Sequence, residues 1–434
     1  MIKITYLGAG SAFAPVLSKD IFQIPGLEEG ELCLVDIDPE RLRLSHKATE
    51  IVKGKLNKNW KVISTTDRRE VMADSDFIIN TIEVSGLQNV KYDYEIPLKY
   101  GVDQCIGDTI GPGGIMKALR TVPVWLEILK DAEELCPDAY VLNYTNPMSI
   151  MMLATFRASK MKAVGLCHSV QGTSRTLADY LEVPYEELKW RCAGINHMSW
   201  FTELTHNGKD MYPVLKRKAL EDKELYEKDP VRFEIMFHFG YFVTESSGHM
   251  SEYVPYFRKR PDLIDKYCRE GYRGGRGFYA KNWPKWRKAL DDRRKRIIAG
   301  EEEPDLKRSV EYASEIIEGI VFNRMKIIYG NVLNTGLITN LPQNEVVEVA
   351  CLIDRNGIQP IHFGELPPQL AALCRSNMPV YDMTVRAIME NSYEMAEQAL
   401  MLDPLTSAVC SLDEIRSMFR ELYEAEKEYL PKLE

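Results

Sequence analysis

The 434 residues exceed what one simple core holds and predict two domains sharing a cleft, and 55 basic against 64 acidic side chains give a formal charge of -9. That balance offers no electrostatic reason to bind nucleic acid, and no apolar run approaches the roughly 20 residues of a membrane span. Nine cysteines without a C-x-x-C spacing argue against a disulfide framework, and Met1 enters a strand at once with no signal peptide, so a cytoplasmic protein with a small-molecule partner is expected.

Apolar runs at 2–7, 32–36, 62–64, 77–82, 139–143 and 163–167 alternate with helical stretches, the pattern of a parallel sheet covered by helices. The predicted fold is α/β, with a Rossmann-like doubly wound parallel sheet over residues 1–192 and a second mixed α+β domain over 193–434. Ligands of such sheets bind outside the carboxyl ends of the strands, where Gly8, Asp36, Asn146 and Cys167 all fall.

The first strand runs into Gly8-Ala9-Gly10-Ser11. Gly8 permits a tight turn, Gly10 lets the backbone approach a pyrophosphate at the following helix N-terminus, and Ser11 adds a hydroxyl donor. Phe13 stands where G-x-G-x-x-G has its third glycine, so the motif by itself also reads as a plain strand-to-helix turn. The second strand ends in Asp36, whose carboxylate can accept both ribose hydroxyls and repel a 2'-phosphate, which favours NAD over NADP.

The glycine-rich run Gly107 to Gly114 lets backbone pass close to a ligand and offers Asp108 as a carboxylate, although it also reads as a surface loop. In Asn143-Tyr144-Thr145-Asn146-Pro147, the Asn146 carboxamide can donate to and accept from substrate hydroxyls, or serve only the turn. Cys167, at the end of the sixth strand, and His197, thirty residues on, can share one divalent cation through a thiolate and an imidazole. By residue type alone they read first as buried packing and a satisfied polar group.

After residue 192 the regular alternation stops. Val310, Ala313, Ile317, Ile320 and Val321 fall at helical spacing, and the charged stretch 281–303, with Trp283 and Trp286, reads as an exposed helix or an oligomer contact.

In their order these motifs resemble glycoside hydrolase family 4, the NAD- and divalent-metal-dependent glycosidases that depart from two-carboxylate hydrolysis. The resemblance rests on Gly8-Ala9-Gly10-Ser11, Asp36-Ile37-Asp38, Gly111-Pro112-Gly113-Gly114, Asn143 to Pro147, Cys167-His168-Ser169-Val170, Asn196-His197 and Asn340-Leu341-Pro342. It covers nearly the whole chain and implies the architecture of lactate and malate dehydrogenases. Cys167-His168-Ser169-Val170, Thr244-Glu245-Ser246-Ser247 and Tyr329-Gly330-Asn331-Val332 look like the α-galactosidase, or melibiase, branch. Val90, with Lys91 beside it, stands where phosphosugar-specific members carry an arginine able to make bidentate phosphate hydrogen bonds.

The resemblance implies a glycosidase acting on unphosphorylated α-galactosides by C3 oxidation, C2 deprotonation, elimination and water addition, with NAD and a divalent cation, manganese first, as cofactors. It assigns Cys167 and His197 as metal ligands, Tyr253 as the C2 base with Tyr256 as competitor, His168 as the leaving-group acid, and Asp108 as a nearby catalytic carboxylate. Asn146 is then a substrate contact, and Gly8, Gly10, Ser11 and Asp36 hold the cofactor. An α-glucosidase or 6-phospho-glycosidase of the same family is the alternative, and a homodimer or homotetramer is expected. An NAD-dependent 2-hydroxy-acid dehydrogenase would share the nucleotide fold, but its His-Asp relay and carboxylate-clamping arginine find no strand-end position here.

Overall fold

In the computed structural model, which describes residues 1–434, the first half of the chain forms six parallel strands. They are β1 (Lys3–Leu7), β2 (Glu29–Val35), β3 (Asn59–Thr65), β4 (Phe77–Asn80), β5 (Tyr140–Asn143) and β6 (Lys162–Leu166). Their order is β3-β2-β1-β4-β5-β6, a doubly wound sheet whose direction of progression reverses between β1 and β4. All four residues of β4, Phe-Ile-Ile-Asn, are buried, as expected for a strand covered on both faces. The edge strand β3 is longer than the sequence pattern suggested, because it exposes Asn59, Lys61 and Ser64 and so hides its length among polar residues.

The remaining strands are β7 (Leu188–Ile195), β8 (Met198–His206), β9 (Lys209–Asp210), β10 (Phe242–Val243), β11 (Lys326–Leu333), β12 (Val346–Asp354) and β13 (Gly357–Pro360). They extend the same sheet beyond β6 in the order β11-β12-β7-β8-β10, with every new pairing antiparallel. One apolar core of 93 buried residues runs from Ile4 in β1 to Leu433 near the C-terminus, and a second cluster of 17 holds Cys192. The sheet is continuous through position 192, which lies within β7.

One helix differs from the sequence reading. The run expected from Val310 begins as a helix only at Ala313 and ends at Phe322. Val310 stays half exposed outside it, because Ser309 just before it donates its backbone N–H and its hydroxyl to the Asp20 carboxylate. The charged stretch forms a 22-residue helix, Phe278–Ala299, ended by Gly300 in the left-handed region. It packs on the helices Pro39–Lys55 and Leu87–Lys99 of the parallel half. No helix is long and apolar enough to cross a membrane.

Candidate active site

The carboxyl edge of the parallel sheet gathers the glycine turn. Gly8 has φ +79°, and a Cβ there would lie 2.5 Å from the Thr81 carbonyl oxygen, so only glycine fits. The N–H groups of Gly8 and Ala9 both donate to the Val35 carbonyl, at 2.9 and 3.0 Å, and tie the ends of β1 and β2 together. Gly10 N–H donates to Asp36 Oδ2 at 2.6 Å, and a Cβ on Gly10 would meet that same oxygen at 2.8 Å. The Ser11 hydroxyl lies 2.9 Å from that of Thr81. Phe13, in the third-glycine position, stacks obliquely on Tyr144 at 5.3 Å. The helix Phe13–Phe22 has no side-chain N-cap, so its first turn keeps N–H groups that an anion can take.

At the end of β6, Cys167 Sγ lies 3.4 Å from His197 Nε2. His197 stands in the tight β7–β8 turn with φ +61°, and Glu245, just after β10, has φ +72°. The Glu245 carboxylate lies 3.9 Å from His197 Nε2, and one donor atom from each of the three residues falls within 4.8 Å of the others. A non-glycine residue in this backbone region is held at a cost of about 1–3 kcal/mol. Two such residues facing one point mark a place where geometry is set by function.

Burial, reinforced by Glu245 and Glu348, pushes the Cys167 thiol well above its ordinary pKa. Burial, reinforced by His249, pulls His197 down to about 4, so its imidazole is neutral and one of its ring nitrogens carries a free lone pair. The Nδ1 atom of His197 is buried without a partner. The His249 ring packs edge-on against His197 at 4.5 Å, and its Nδ1 is 2.9 Å from the Ser246 hydroxyl.

Around this cluster lie the acid-base candidates. Asp108 is buried, accepts from Asn146 Nδ2 at 3.3 Å and from Lys117 Nζ at 3.5 Å, and keeps Oδ1 unpartnered. Burial alone would raise the Asp108 carboxyl, but Lys117, His249 and His197 outweigh it, so the carboxylate is favoured. Lys117 also pairs with Glu83 at 2.9 Å. The glycine-rich run is no surface loop: Gly111 opens the helix Gly111–Leu135, and the segment from Gly107 to Gly114 is buried throughout.

The Tyr253 ring is 6.3 Å from that of His197 and only 1% exposed, and burial holds its hydroxyl in the neutral form. Tyr256 is 42% exposed and packs on Phe239 and Phe257. His168, beside Cys167, is half exposed, with Nδ1 3.4 Å from Glu311, whose carboxylate lifts the imidazolium pKa to about 9. The sequence reading missed Glu245, His249, Lys117, Glu83 and Glu311. A signal existed for the first alone, in the Thr244-Glu245-Ser246-Ser247 motif.

Residues 3–183 match the family described as family 4 glycosyl hydrolase, and residues 192–406 match its C-terminal domain. The chain is 43% identical over 443 residues to an α-galactosidase of Bacillus subtilis, covering all of both proteins. It is 35% identical to an α-galactosidase of Rhizobium meliloti, over 99% of this chain and 89% of that one. In three dimensions it overlays on a 6-phospho-α-glucosidase from gut microorganisms, solved with NAD and Mn2+, with a TM-score of 0.84 at 24% identity over 100% of both chains.

Proposed function

The chain belongs to the family 4 glycosyl hydrolases and is a glycosidase, and on that premise we propose that it hydrolyses unphosphorylated α-galactosides using bound NAD and a divalent cation, manganese first. The observation that carries the reading is the convergence of Cys167, His197 and Glu245 within 4.8 Å at the end of β6, on the same carboxyl edge of the doubly wound sheet as the glycine turn after β1. One thiolate-capable sulfur, one neutral imidazole and one carboxylate suit a divalent transition metal. Cobalt, nickel and iron would meet the same donors. The cradle of Gly8 and Gly10, which a Cβ would fill, and the uncapped helix behind it suit a pyrophosphate.

When bound, NAD supplies reversible hydride acceptance at the sugar C3 and the cation supplies Lewis acidity at the C3 oxygen, together making the C2 proton acidic. The side chains supply the rest. Tyr253 Oη is the base at C2; buried and neutral by itself, it needs neighbouring positive charge to release its proton. His168 holds the proton for the departing oxygen, its charged form favoured by Glu311. Asp108, fixed by Lys117 and Asn146, orients groups at the cluster, and Asn146 offers its carboxamide to a sugar hydroxyl.

The charge around the cluster supports a neutral sugar. Asp108, Glu83, Glu245 and Glu311 face it, and the buried cation Lys117 is already paired to Glu83 and Asp108. A phosphate or uronate group would need an uncommitted cation here. Full-length similarity to an α-galactosidase supports the same choice.

Within this reading residues 1–192 hold the dinucleotide, residues 193–434 bring His197, Glu245 and Tyr253, and the protein is a homodimer or homotetramer. Nine free cysteines fit a reducing, cytoplasmic setting.

Enzyme stripped by chelator and dialysis should hydrolyse an aryl α-galactoside only after NAD and Mn2+ are both restored, with C2 hydrogen exchange in deuterated water. Turnover without either refutes the mechanism. Faster turnover of the aryl α-glucoside, α-galacturonide or a 6-phosphate would reassign the substrate.

A further inference from the structure

The helix Phe278–Ala299 is solvent-exposed along most of its length, and Arg294 is its one buried residue, 2% exposed. The Arg294 guanidinium donates from Nη1 to the Gly10 carbonyl at 2.9 Å and from Nη2 to the Ser11 carbonyl at 2.6 Å. Desolvating a guanidinium is unfavourable, and its Nε stays buried without a partner, so the two carbonyls must repay the burial. These are the carbonyls of the glycine turn itself. Holding both fixes two successive peptide planes of that turn, some 280 residues away in sequence.

Arg287, Asp291 and Arg294 follow one another at i, i+4 and i+7 and so share a helix face. Asp291 Oδ1 accepts from Arg41 Nε at 3.3 Å and from Arg294 Nη1 at 3.4 Å. The Arg287 Nη1 atom lies 2.7 Å from where a Cβ on Gly86 would stand, in the connection after β4. Its charge feels Arg41, Asp291, Asp38 and Asp36, yet it makes no hydrogen bond or ion pair within the chain. Trp283, one turn earlier, has Lys117 over its ring at 5.8 Å. The face thus runs from Lys117, past the end of β4, to the turn after β1, along the crevice where a doubly wound sheet takes its ligand.

We propose that the helix Phe278–Ala299 forms the outer wall of the dinucleotide site, with Arg294 as positioning residue for the Gly10–Ser11 turn and Arg287 as the guanidinium that pairs with the ligand's pyrophosphate. The inference rests on the NAD reading above. A half-buried guanidinium with no partner beside another arginine is completed by a phosphate oxygen, for which Arg offers parallel donors.

The test is ligand binding to the full-length protein, followed by fluorescence of Trp283 and Trp286 and by calorimetry. Arg287→Met should weaken NAD and ADP-ribose by about 10- to 100-fold, the scale of a charge-assisted hydrogen bond. Adenosine, which lacks the phosphates, should bind as to wild type, and so should Mn2+. Arg294→Lys, which keeps the charge but loses the fork, should weaken NAD and raise amide hydrogen exchange at Ser11 and Ala12.

Unchanged NAD affinity in Arg287→Met overturns the proposal, and so does an equal loss of adenosine, which would make Arg287 merely structural. Wild-type protein that binds no NAD would instead refute the cofactor reading beneath it.

Discussion

Arg120→Met should lower the thermal unfolding midpoint by about 4 °C. Arg120 lies on the helix Gly111–Leu135, is 2% exposed, and donates from both terminal nitrogens to the Asp93 carboxylate at 2.9 Å each. It also donates to Glu426, fully buried at the end of the last helix, which accepts from Asn89 at 3.3 Å. Removing the guanidinium leaves the Asp93 carboxylate and the Glu426 carboxyl facing each other without water, and breaking a buried pair costs roughly 3–5 kcal/mol. At about 2.1 cal/mol/K per residue, 434 residues unfold with an entropy near 0.9 kcal/mol/K, which converts about 4 kcal/mol into about 4 °C.

The control is Glu426→Gln. Burial, then Asp93, holds the Glu426 carboxyl well above its unfolded value of 4.5. A raised folded pKa means the native state binds the proton more tightly. Its stabilisation is complete below pH 4.5 and is lost as pH rises through the folded value. Wild type should therefore lose stability relative to Glu426→Gln as pH rises above 4.5, measured as midpoints in calorimetry.

An Arg120→Met midpoint within 1 °C of wild type would refute the ion-triad argument, as would Glu426→Gln tracking wild type at every pH. The triad also braces the site: the Asp93 carbonyl accepts from Gln104 Nε2 at 2.7 Å, and Gln104 Oε1 accepts from Gly113 N–H at 3.3 Å, either side of Asp108.

Cys167→Ser should abolish metal-dependent hydrolysis while NAD affinity, read by calorimetry, stays at wild type; equal loss of both would make the cysteine structural. Glu245→Gln should weaken Mn2+ binding by tenfold or more in metal titrations, and unchanged affinity would remove it from the donor set. Tyr253→Phe should cut C2 hydrogen exchange by roughly 10²–10⁴-fold with little change in midpoint, whereas undiminished exchange would pass the base role to another group. Gly8→Ala forces a side chain into the left-handed region against the Thr81 carbonyl, at roughly 1–2 kcal/mol of strain alone, and should reduce NAD affinity by at least tenfold; wild-type affinity in that variant would refute the cradle.

What was legible in the sequence was local. Gly8, Asp36 and Cys167 stand immediately beyond strands whose apolar runs bounded them, so their common edge follows from the period of a parallel sheet. His197 was offered beside Cys167 on residue chemistry and gained weight through the resemblance to a known family, since its position depends on β7 and β8 reaching the sheet through β12 and β11. Glu245 lay in a segment quoted for that resemblance but given no role, and His249 lay just outside it, because two-residue β10 carries no periodicity to mark either. The stretch 281–303 read correctly as an exposed charged helix, yet the pattern averaged over Arg294, whose burial distinguishes it from its neighbours.

Strand ends and glycine turns thus determined a doubly wound sheet and a dinucleotide-type turn, and the family followed from the resemblance of the ordered motifs. Those features depend on residues within a few positions of one another, where backbone sterics and side-chain period act. Only the tertiary structure decided that Glu245 completes the donor cluster, that Lys117 is committed to two carboxylates, and that a distant arginine grips the glycine turn. Each of those depends on antiparallel pairings and helix packing that bring together residues from separate elements, up to 284 positions apart for Arg294 and Gly10, and no local pattern encodes that distance.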